Sequence, residues 1–204
     1  MKNPVGTRRQ QQKQETKELI LKTAMFQFEK KGFGKTTIRD IASEAGIAVG
    51  TIFSHFQDKV ALLCEILFDA LEQEIENARK SLPANLPIYD QFNHFARQFY
   101  GFWLQRTDLA KSFFVEYTFA NSPATQRFEK QIEVFLKSFV DQLEALKQQG
   151  QVKNDTDCGM VAASFWAHYV MVLVFELKYP QPSLERMLAT LKQMNRMTIE
   201  GILT

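Results

Sequence analysis

Residues that interrupt helices are scarce in this sequence. Its 204 residues include 9 glycines and 6 prolines, and apolar residues recur at spacings of three and four between the few breaks. Glycine and proline are the residues that helix interiors tolerate least, so their scarcity favours long helices over many short strands. No segment shows the convincing apolar–polar alternation of a strand. The sequence therefore predicts an all-α protein of about nine helices.

Motifs of catalysis and metal binding are also missing. The three histidines, His55, His94 and His168, belong to no HExxH or ExxH motif, and no GxSxG sequence occurs. Residues 34–36 (GKT) resemble the end of a phosphate-binding loop, but Glu29 stands where that loop has its first glycine. These absences predict a protein that is not an enzyme and that uses no metal and no cofactor.

Cysteine is equally rare. Cys64 and Cys158 are far apart and form no CxxC pair, which excludes a disulfide framework and fits a reducing cytoplasm. Residues 1–14 are polar and basic, unlike a secretory signal, and are predicted to form a disordered arm. The longest apolar run, residues 160–175, contains Ser164 and His168 and is shorter than the roughly 20 residues of a membrane span. We therefore expect a cytoplasmic protein without a membrane partner.

Charge is unevenly distributed along the chain. Residues 1–60 contain 11 Lys and Arg against 6 Asp and Glu, a net charge of +5, and the other residues contain 14 against 17, a net charge of −3. A basic first third beside a mildly acidic remainder is typical of a protein with a polyanionic partner. An imbalance without functional meaning is the alternative.

A helix-turn-helix pattern occupies residues 36–56, TTIRDIASEAGIAVGTIFSHF. Thr37 followed by Asp40 predicts a capping box that begins a short helix, and Gly46 suits the left-handed residue that ends it. A second short helix is predicted from about residue 49 to residue 56, with Ile47 in the angle between the two. Both are expected to pack on a preceding helix over residues 16–31. The second helix is then free to enter the major groove of DNA.

Small and polar residues on the outer side of this pattern are the candidate DNA contacts. Thr51 and Ser54 have hydroxyls that can bind bases or phosphates, and Gly50 allows close approach of the backbone. His55 and Lys59 suit phosphate contacts. The full set of candidates is Thr37, Arg39, Val49, Gly50, Thr51, Phe53, Ser54, His55 and Lys59. The alternative is a plain helical hairpin in a bundle, with no DNA ligand.

Residues 16–70 resemble the DNA-binding domain of TetR-type transcription regulators. The resemblance rests on IAxxAGIxxGTIFxHFxxKxALL and, upstream of it, on ILxxAxxxFxxxGF at residues 20–33. It implies a three-helix DNA-binding domain over residues 15–60 and a helical effector-binding and dimerisation domain over residues 61–204. A helix from about residue 58 to residue 80 links the two in this scheme, and the last two long helices form a homodimer.

The sequence departs from the family pattern at three positions of the second short helix. Ala48 replaces a frequent Ser or Thr, so a side-chain cap is missing, which costs about 1 kcal/mol. Val49 replaces a frequent Lys or Arg, and Phe53 replaces the usual Tyr, whose hydroxyl can bind phosphate. Weaker anchoring on the DNA backbone follows, and the basic residues of the arm are expected to offset it. These residues are Lys2, Arg8, Arg9 and Lys13.

The chain after residue 60 contains 13 of the 18 phenylalanines. Helical spacing alone predicts a bulky core, whereas the resemblance implies a pocket for a small hydrophobic or aromatic effector. The candidates for its lining are Phe99, Trp103, Phe113, Tyr117, Phe165 and His168. The implied function is a transcription regulator, more often a repressor, that its effector releases from operator DNA. The alternative is a helical protein-interaction module or an enzyme without DNA binding.

Overall fold

The computed structural model describes residues 8–203, which form nine α-helices. Their bounds are α1 Arg8–Lys31, α2 Ile38–Ala45, α3 Val49–Phe53, α4 Lys59–Lys80, α5 Ile88–Leu104, α6 Thr107–Tyr117, α7 Pro123–Gln148, α8 Cys158–Glu176 and α9 Leu184–Ile202. Extended pairing within this range is limited to an isolated antiparallel bridge between Val152 and Leu203. The predicted all-α fold with about nine helices is confirmed.

The first helix begins earlier than expected. The prediction of a disordered arm over residues 1–14 is wrong for residues 8–14, because they form the start of α1. Residues 1–7, which include Lys2, lie outside the described part of the chain. The segment is helical because it holds Gln, Arg and Lys, which are good helix formers, and no glycine or proline. Side-chain hydrogen bonds four residues apart support it, from Gln11 to Glu15 (3.2 Å) and from Gln14 to Glu18 (2.8 Å).

The short helices α2 and α3 form the predicted helix-turn-helix. The capping box is present, since the Asp40 amide donates to the Thr37 hydroxyl (3.1 Å) and the Thr37 amide donates to the Asp40 carboxylate (2.8 Å). Gly46 ends α2 in the left-handed conformation, at φ 67°. Ile47 packs half-buried against the core. The second helix is shorter than predicted, because residues 54 and 55 form a turn and Phe56 after it lies in the core.

Helix α4 joins the two parts of the molecule. It begins after Asp58, whose carboxylate accepts a hydrogen bond from the Ala61 amide (2.7 Å). Its apolar residues pack against α1 on one side and against α5, α6 and α7 on the other. The buried side chains of both parts therefore belong to one continuous core, and a shift of α4 acts on both.

Helices α5 to α9 form the second part of the core. The closest packing joins α5 with α9, α7 with α8, and α8 with α9. Helix α8 contains the longest apolar run of the sequence, yet Met160, Met171 and Phe175 are 66%, 43% and 57% exposed. Within the described residues α8 is also the one helix long and apolar enough to cross a membrane. It packs against three other helices, as a helix of a bundle does. Its exposed apolar side chains leave one face open for a further apolar contact outside this part of the chain.

Candidate functional site

Helix α3 directs its outer residues to solvent. Gly50, Phe53 and Ser54 are exposed and Thr51 is half-buried, whereas Ile52 on the opposite side is fully buried. The Phe53 side chain, 53% exposed, is a large apolar group without a packing role. Among residues 8–203 this short face is left largely open to solvent, as a helix that enters a groove must be.

The beginning of α2 lies beside this face with two more candidates exposed. Thr37 and Arg39 both face solvent. Hydrogen bonds from the Thr37 amide and hydroxyl, with a further one from Lys31 (3.1 Å), lower the pKa of Asp40 to about 2. The carboxylate therefore holds the start of α2 in place at neutral pH, while the free amides of the first turn remain suited to an anion.

Lys59 and Val49, two of the predicted DNA contacts, are partly buried within the protein. The Lys59 ammonium donates to the carbonyl oxygens of Phe33 (2.7 Å) and Thr36 (3.0 Å) and lies 4.2 Å from the centre of the Phe33 ring. It therefore ties α4 to the loop before α2 within the protein. Val49 is half-buried against the core, so only part of its side chain remains for a base.

His55 lies close to the basic start of α1. Burial lowers the pKa of its imidazole below the ordinary value, and the charges of Lys13 and Lys17 lower it further. The ring is therefore neutral at pH 7 and can take part in a single hydrogen bond to phosphate without adding charge. Positive charge on this side comes instead from the first turns of α1, where Arg8, Arg9 and Lys13 are exposed.

An ion cluster connects three helices at the junction of the two parts. The Glu65 carboxylate of α4, 11% exposed, accepts hydrogen bonds from Lys17 of α1 and from Arg127 of α7. Burial by itself would raise the pKa of Glu65, but these two cations bring it below the usual value. The guanidinium of Arg127 also lies 3.8 Å from the centre of the Phe68 ring. Sequence reasoning missed this cluster, because 48 and 62 positions separate its members.

A cavity of about 260 Å³ lies between α4, α5, α6, α7 and α8. Nine of its lining residues are aromatic, and none of its lining side chains carries a charge. Four predicted residues line it: Phe99, Trp103, Phe113 and Tyr117. Lining residues that were not predicted include Gln131, Phe135, Trp166 and Tyr169. The sequence indicates these residues only through their helical spacing. That spacing does not show which face of a buried helix borders a cavity.

Two predicted lining residues lie elsewhere. Phe165 is fully buried in the core, with its ring centre 5.1 Å from that of Phe92. His168 forms a hydrogen bond with Asn195 of α9 (2.8 Å). The prediction of these two as lining residues is corrected, because Trp166, Tyr169 and Val170 form the side of α8 that borders the cavity.

The polar groups in the cavity are neutral. Burial raises the pKa of Tyr117 to about 12, and it also raises the pKa of Tyr169, whose hydroxyl accepts a hydrogen bond from the Trp103 indole (3.0 Å). A guest in this space meets aromatic faces and a few hydrogen-bonding groups, which suits an uncharged apolar moiety. Over residues 8–203, no group of three or more His, Cys, Asp or Glu side chains is arranged to hold a metal ion.

Comparison with known proteins concerns mainly the first part of the chain. Residues 20–66 match the family described as bacterial regulatory proteins, tetR family. The uncharacterized HTH-type transcriptional regulator YerO of Bacillus subtilis is 42% identical over 76 residues, 36% of this chain and 26% of YerO. The HTH-type transcriptional regulator TtgR of Pseudomonas putida is 38% identical over 66 residues, 32% of this chain and 31% of TtgR. The matches thus span about a third or less of these relatives.

The fold of the whole chain also has counterparts among solved structures. Thermus thermophilus FadR, described as a TetR family transcriptional repressor in complex with lauroyl-CoA, has a TM-score of 0.74 and 22% identity to this chain. The alignment covers 92% of this chain and 95% of that one. The likeness shows that the second half, which the family match does not reach, shares this fold.

Proposed function

We propose that this chain, a member of the tetR family of bacterial regulatory proteins, is a DNA-binding transcriptional repressor that a small effector releases from its operator. The observation that carries the proposal is α3. It is a short helix with an exposed outer face, anchored by the buried Ile52 and held beside a capped α2. This is the arrangement that places one helix in a major groove while the other crosses the phosphate backbone.

The proposed DNA contacts form two groups, one for the bases and one for the phosphates, according to their position on α2 and α3. Gly50, Thr51, Phe53 and Ser54 face the bases, because they occupy the exposed side of α3. Thr37 and Arg39 on α2, together with His55, are placed at the edges for phosphate. Val49 adds a partial apolar contact, and Lys59 supports the domain from inside.

The functional unit is a homodimer formed through α8 and α9. An apolar stripe is exposed on α8, at Met160, Ala163, Ala167, Met171 and Phe175, and Met197 of α9 is 75% exposed. Contiguous exposed apolar residues on neighbouring helices are typical of subunit interfaces. A twofold dimer holds two copies of α3 at a fixed distance, which has to match a half-site spacing of about 34–36 Å or a multiple of it.

The aromatic cavity is the proposed effector site, and α4 is the proposed route to DNA. The cavity is bordered by Leu71 and Ile75 of α4, and the same helix packs on α1. Ligand binding in the cavity shifts α4 if the ligand prefers one of its positions. The FadR protein of similar fold was crystallised in complex with lauroyl-CoA, so an effector complex has a precedent among proteins of this fold.

Selection of binding sites from a random pool of duplex DNA tests the function. We expect a recurrent inverted repeat with half-sites one helical turn or a multiple apart, bound with an affinity that falls steeply with salt. A helical protein-interaction module or an enzyme, which are the alternatives, should recover no recurrent site. A protein of either alternative class should bind the selected duplex no more tightly than a scrambled duplex.

The start of α1 is proposed to add affinity without sequence preference. Replacement of Arg8, Arg9 and Lys13 by Gln should reduce the salt slope of operator binding by up to about 0.9 for each phosphate that the segment no longer neutralises. Lys22 and Lys30, exposed farther along α1, provide the matched control. An unchanged slope in the triple variant would show that this segment does not bind DNA.

A further inference from the structure

A second opening adjoins the aromatic cavity on the outside of the bundle. It is a groove of about 380 Å³ between α4 and α7. The groove and the cavity share three lining residues: Ile75, Gln131 and Phe135. The cavity by itself is smaller than most ligand sites, which occupy roughly 300–1,000 Å³, whereas the two spaces together fall within that range.

The two spaces differ sharply in charge. No lining side chain of the cavity is charged, but the groove is lined by the cations Arg79, Arg127 and Lys130 and by one anion, Glu72. Lys130 pairs with Glu133 on the exposed surface of α7 (2.7 Å), a weak contact in water. Arg79 belongs to none of the ion pairs of residues 8–203. Arg127 is also paired with Glu65, so the positive charge of the groove that is open to a ligand comes from Arg79 and the weakly paired Lys130, next to an uncharged aromatic space.

The Gln131 side chain lies at the boundary of the two spaces, together with Ile75 and Phe135. The amide nitrogen of Gln131 on α7 donates to the Phe68 carbonyl (3.2 Å) and to the Glu72 carboxylate (2.6 Å) of α4. Glu72 is exposed, so these bonds hold the two helices together only lightly. A rotation of the Gln131 side chain would break both of these bonds to α4 at the boundary between the cavity and the groove.

We propose that the effector is an amphipathic anion whose apolar tail occupies the aromatic cavity and whose head lies in the groove on Arg79, Arg127 and Lys130. This assignment rests on the proposed function and specifies the chemistry of its effector. A tail buried among aromatic residues supplies the apolar contact, and a carboxylate or phosphate head is the partner that guanidinium groups bind best. A neutral ligand leaves the cations of the groove unused, and a cationic one is repelled by them.

Arg127 connects this head-group site to the DNA-binding part. Its guanidinium is shared between the groove and Glu65, which also holds Lys17 of α1. An anionic head competes with Glu65 for Arg127. When Arg127 leaves Glu65, the first half of α4, with α1 still attached through Lys17, is released from α7. The positions of the two α3 helices in the dimer then change, and the operator is released.

A series of probes with one tail and different heads tests the proposal. The probes are octanoate, octyl phosphate, 1-octanol and octyltrimethylammonium, and the readout is tryptophan fluorescence, because both tryptophans of the chain, Trp103 and Trp166, line the cavity. We expect octanoate or octyl phosphate to bind at least about tenfold more tightly than octanol, and the cation to bind least. The comparison of octanoate with octyl phosphate distinguishes the two heads.

Two exposed cations of the groove are replaced to test their role. The double variant Arg79→Gln/Lys130→Gln should lose the preference for anions while it still binds octanol. Lys137→Gln, an exposed lysine two turns farther along α7, is the matched control and should behave as the wild type. Equal affinities for octanoate, octyl phosphate and octanol in the wild type, a preference that survives in the double variant, or no binding of any probe would overturn the proposal.

Operator binding separates failure of this inference from failure of the proposed function. On the operator recovered by selection, the anion that binds most tightly should release the wild type and leave the double variant bound. If the protein binds its operator but shows no anion preference, the effector chemistry is wrong and the regulator function stands. If the protein selects no DNA site, the function itself is wrong, whatever the probes show.

Discussion

The Asp40 carboxylate holds the beginning of α2 through hydrogen bonds within the protein. It accepts hydrogen bonds from the amide and hydroxyl of Thr37, and Lys31 lies beside it. These contacts bring its pKa to about 2 from the ordinary 3.8. A carboxyl group with a lowered pKa stabilises the folded state above its ordinary pKa, and that contribution is lost as the pH falls towards the lowered value.

Replacement of Asp40 by Asn tests this role. The difference in unfolding free energy between the wild type and Asp40→Asn should be constant near neutral pH and should shrink as the pH falls from 3.8 to about 2. Urea denaturation at a series of pH values measures it. Ser43→Ala, on the exposed side of the same helix, should show a difference that does not change with pH. A difference for Asp40→Asn that persists at pH 2 contradicts the assignment.

Lys59 is a cation of the kind that binds DNA phosphate, but its ammonium group donates to two backbone carbonyls within the protein. Lys59→Met removes two charge-assisted hydrogen bonds and should lower the unfolding free energy by about 2 kcal/mol. The salt slope of operator binding should not change. Lys35→Met, an exposed lysine in the neighbouring loop, is the control for stability. Unaltered stability together with a smaller salt slope would show that Lys59 binds phosphate instead.

At the scale of elements, α8 combines two roles on two faces. Its buried face contributes Trp166 and Tyr169 to the cavity, and its exposed face carries the apolar stripe assigned to the dimer. A helix that is apolar on both faces needs partners on both, and residues 8–203 provide them on one face only. Assembly of two copies would cover the other.

The dimer assignment predicts the effect of a charge on that stripe. Met171→Glu should weaken dimerisation at least about hundredfold, because each interface would bury two unpaired carboxylates. Sedimentation at micromolar concentration should show a dimer for the wild type and a monomer for the variant. Val115→Glu, at a position of α6 that is 73% exposed, should remain a dimer. A wild type that sediments as a monomer would refute the assignment.

At the scale of the whole molecule, the two parts are joined by α4 and by the cluster around Glu65. This carboxylate connects α1, α4 and α7 through Lys17 and Arg127. The three helices are therefore held in one relative position, and the part that contains the helix-turn-helix is connected with the helices that border the aromatic cavity. A cluster that joins elements so far apart in sequence serves the arrangement of the parts as well as their stability.

Replacement of Glu65 by Gln should reveal both contributions. The unfolding free energy should fall by about 2–3 kcal/mol, because the two cations are left without their largely buried carboxylate partner. The operator affinity should fall as well, since α1 and α4 are no longer tied to α7. Glu76→Gln, at an exposed position on the same helix, should change neither property. Normal operator affinity in a destabilised Glu65→Gln protein would limit the cluster to a structural role.

The sequence by itself determined the local structure. The signals for helices act within a few residues, so neighbouring positions in the chain are enough to predict them. They are the helical periodicity, the Thr37–Asp40 capping box, the cap at Asp58 and the glycine at position 46. The same local signals located the helix-turn-helix, whereas the expectation of a pocket came from the family resemblance, and four of its six candidate residues line the cavity. They failed at residues 8–14, where a polar and basic composition predicted disorder although the residues are good helix formers.

Only the tertiary structure decided which side chains meet. It placed the Lys59 ammonium on backbone carbonyls, turned Phe165 and His168 away from the cavity, and brought Lys17 and Arg127 to Glu65. It also set an uncharged cavity beside a basic groove. These outcomes depend on how α4, α7 and α8 are rotated against one another. That rotation is set by the packing of the whole core, and no short stretch of sequence contains it.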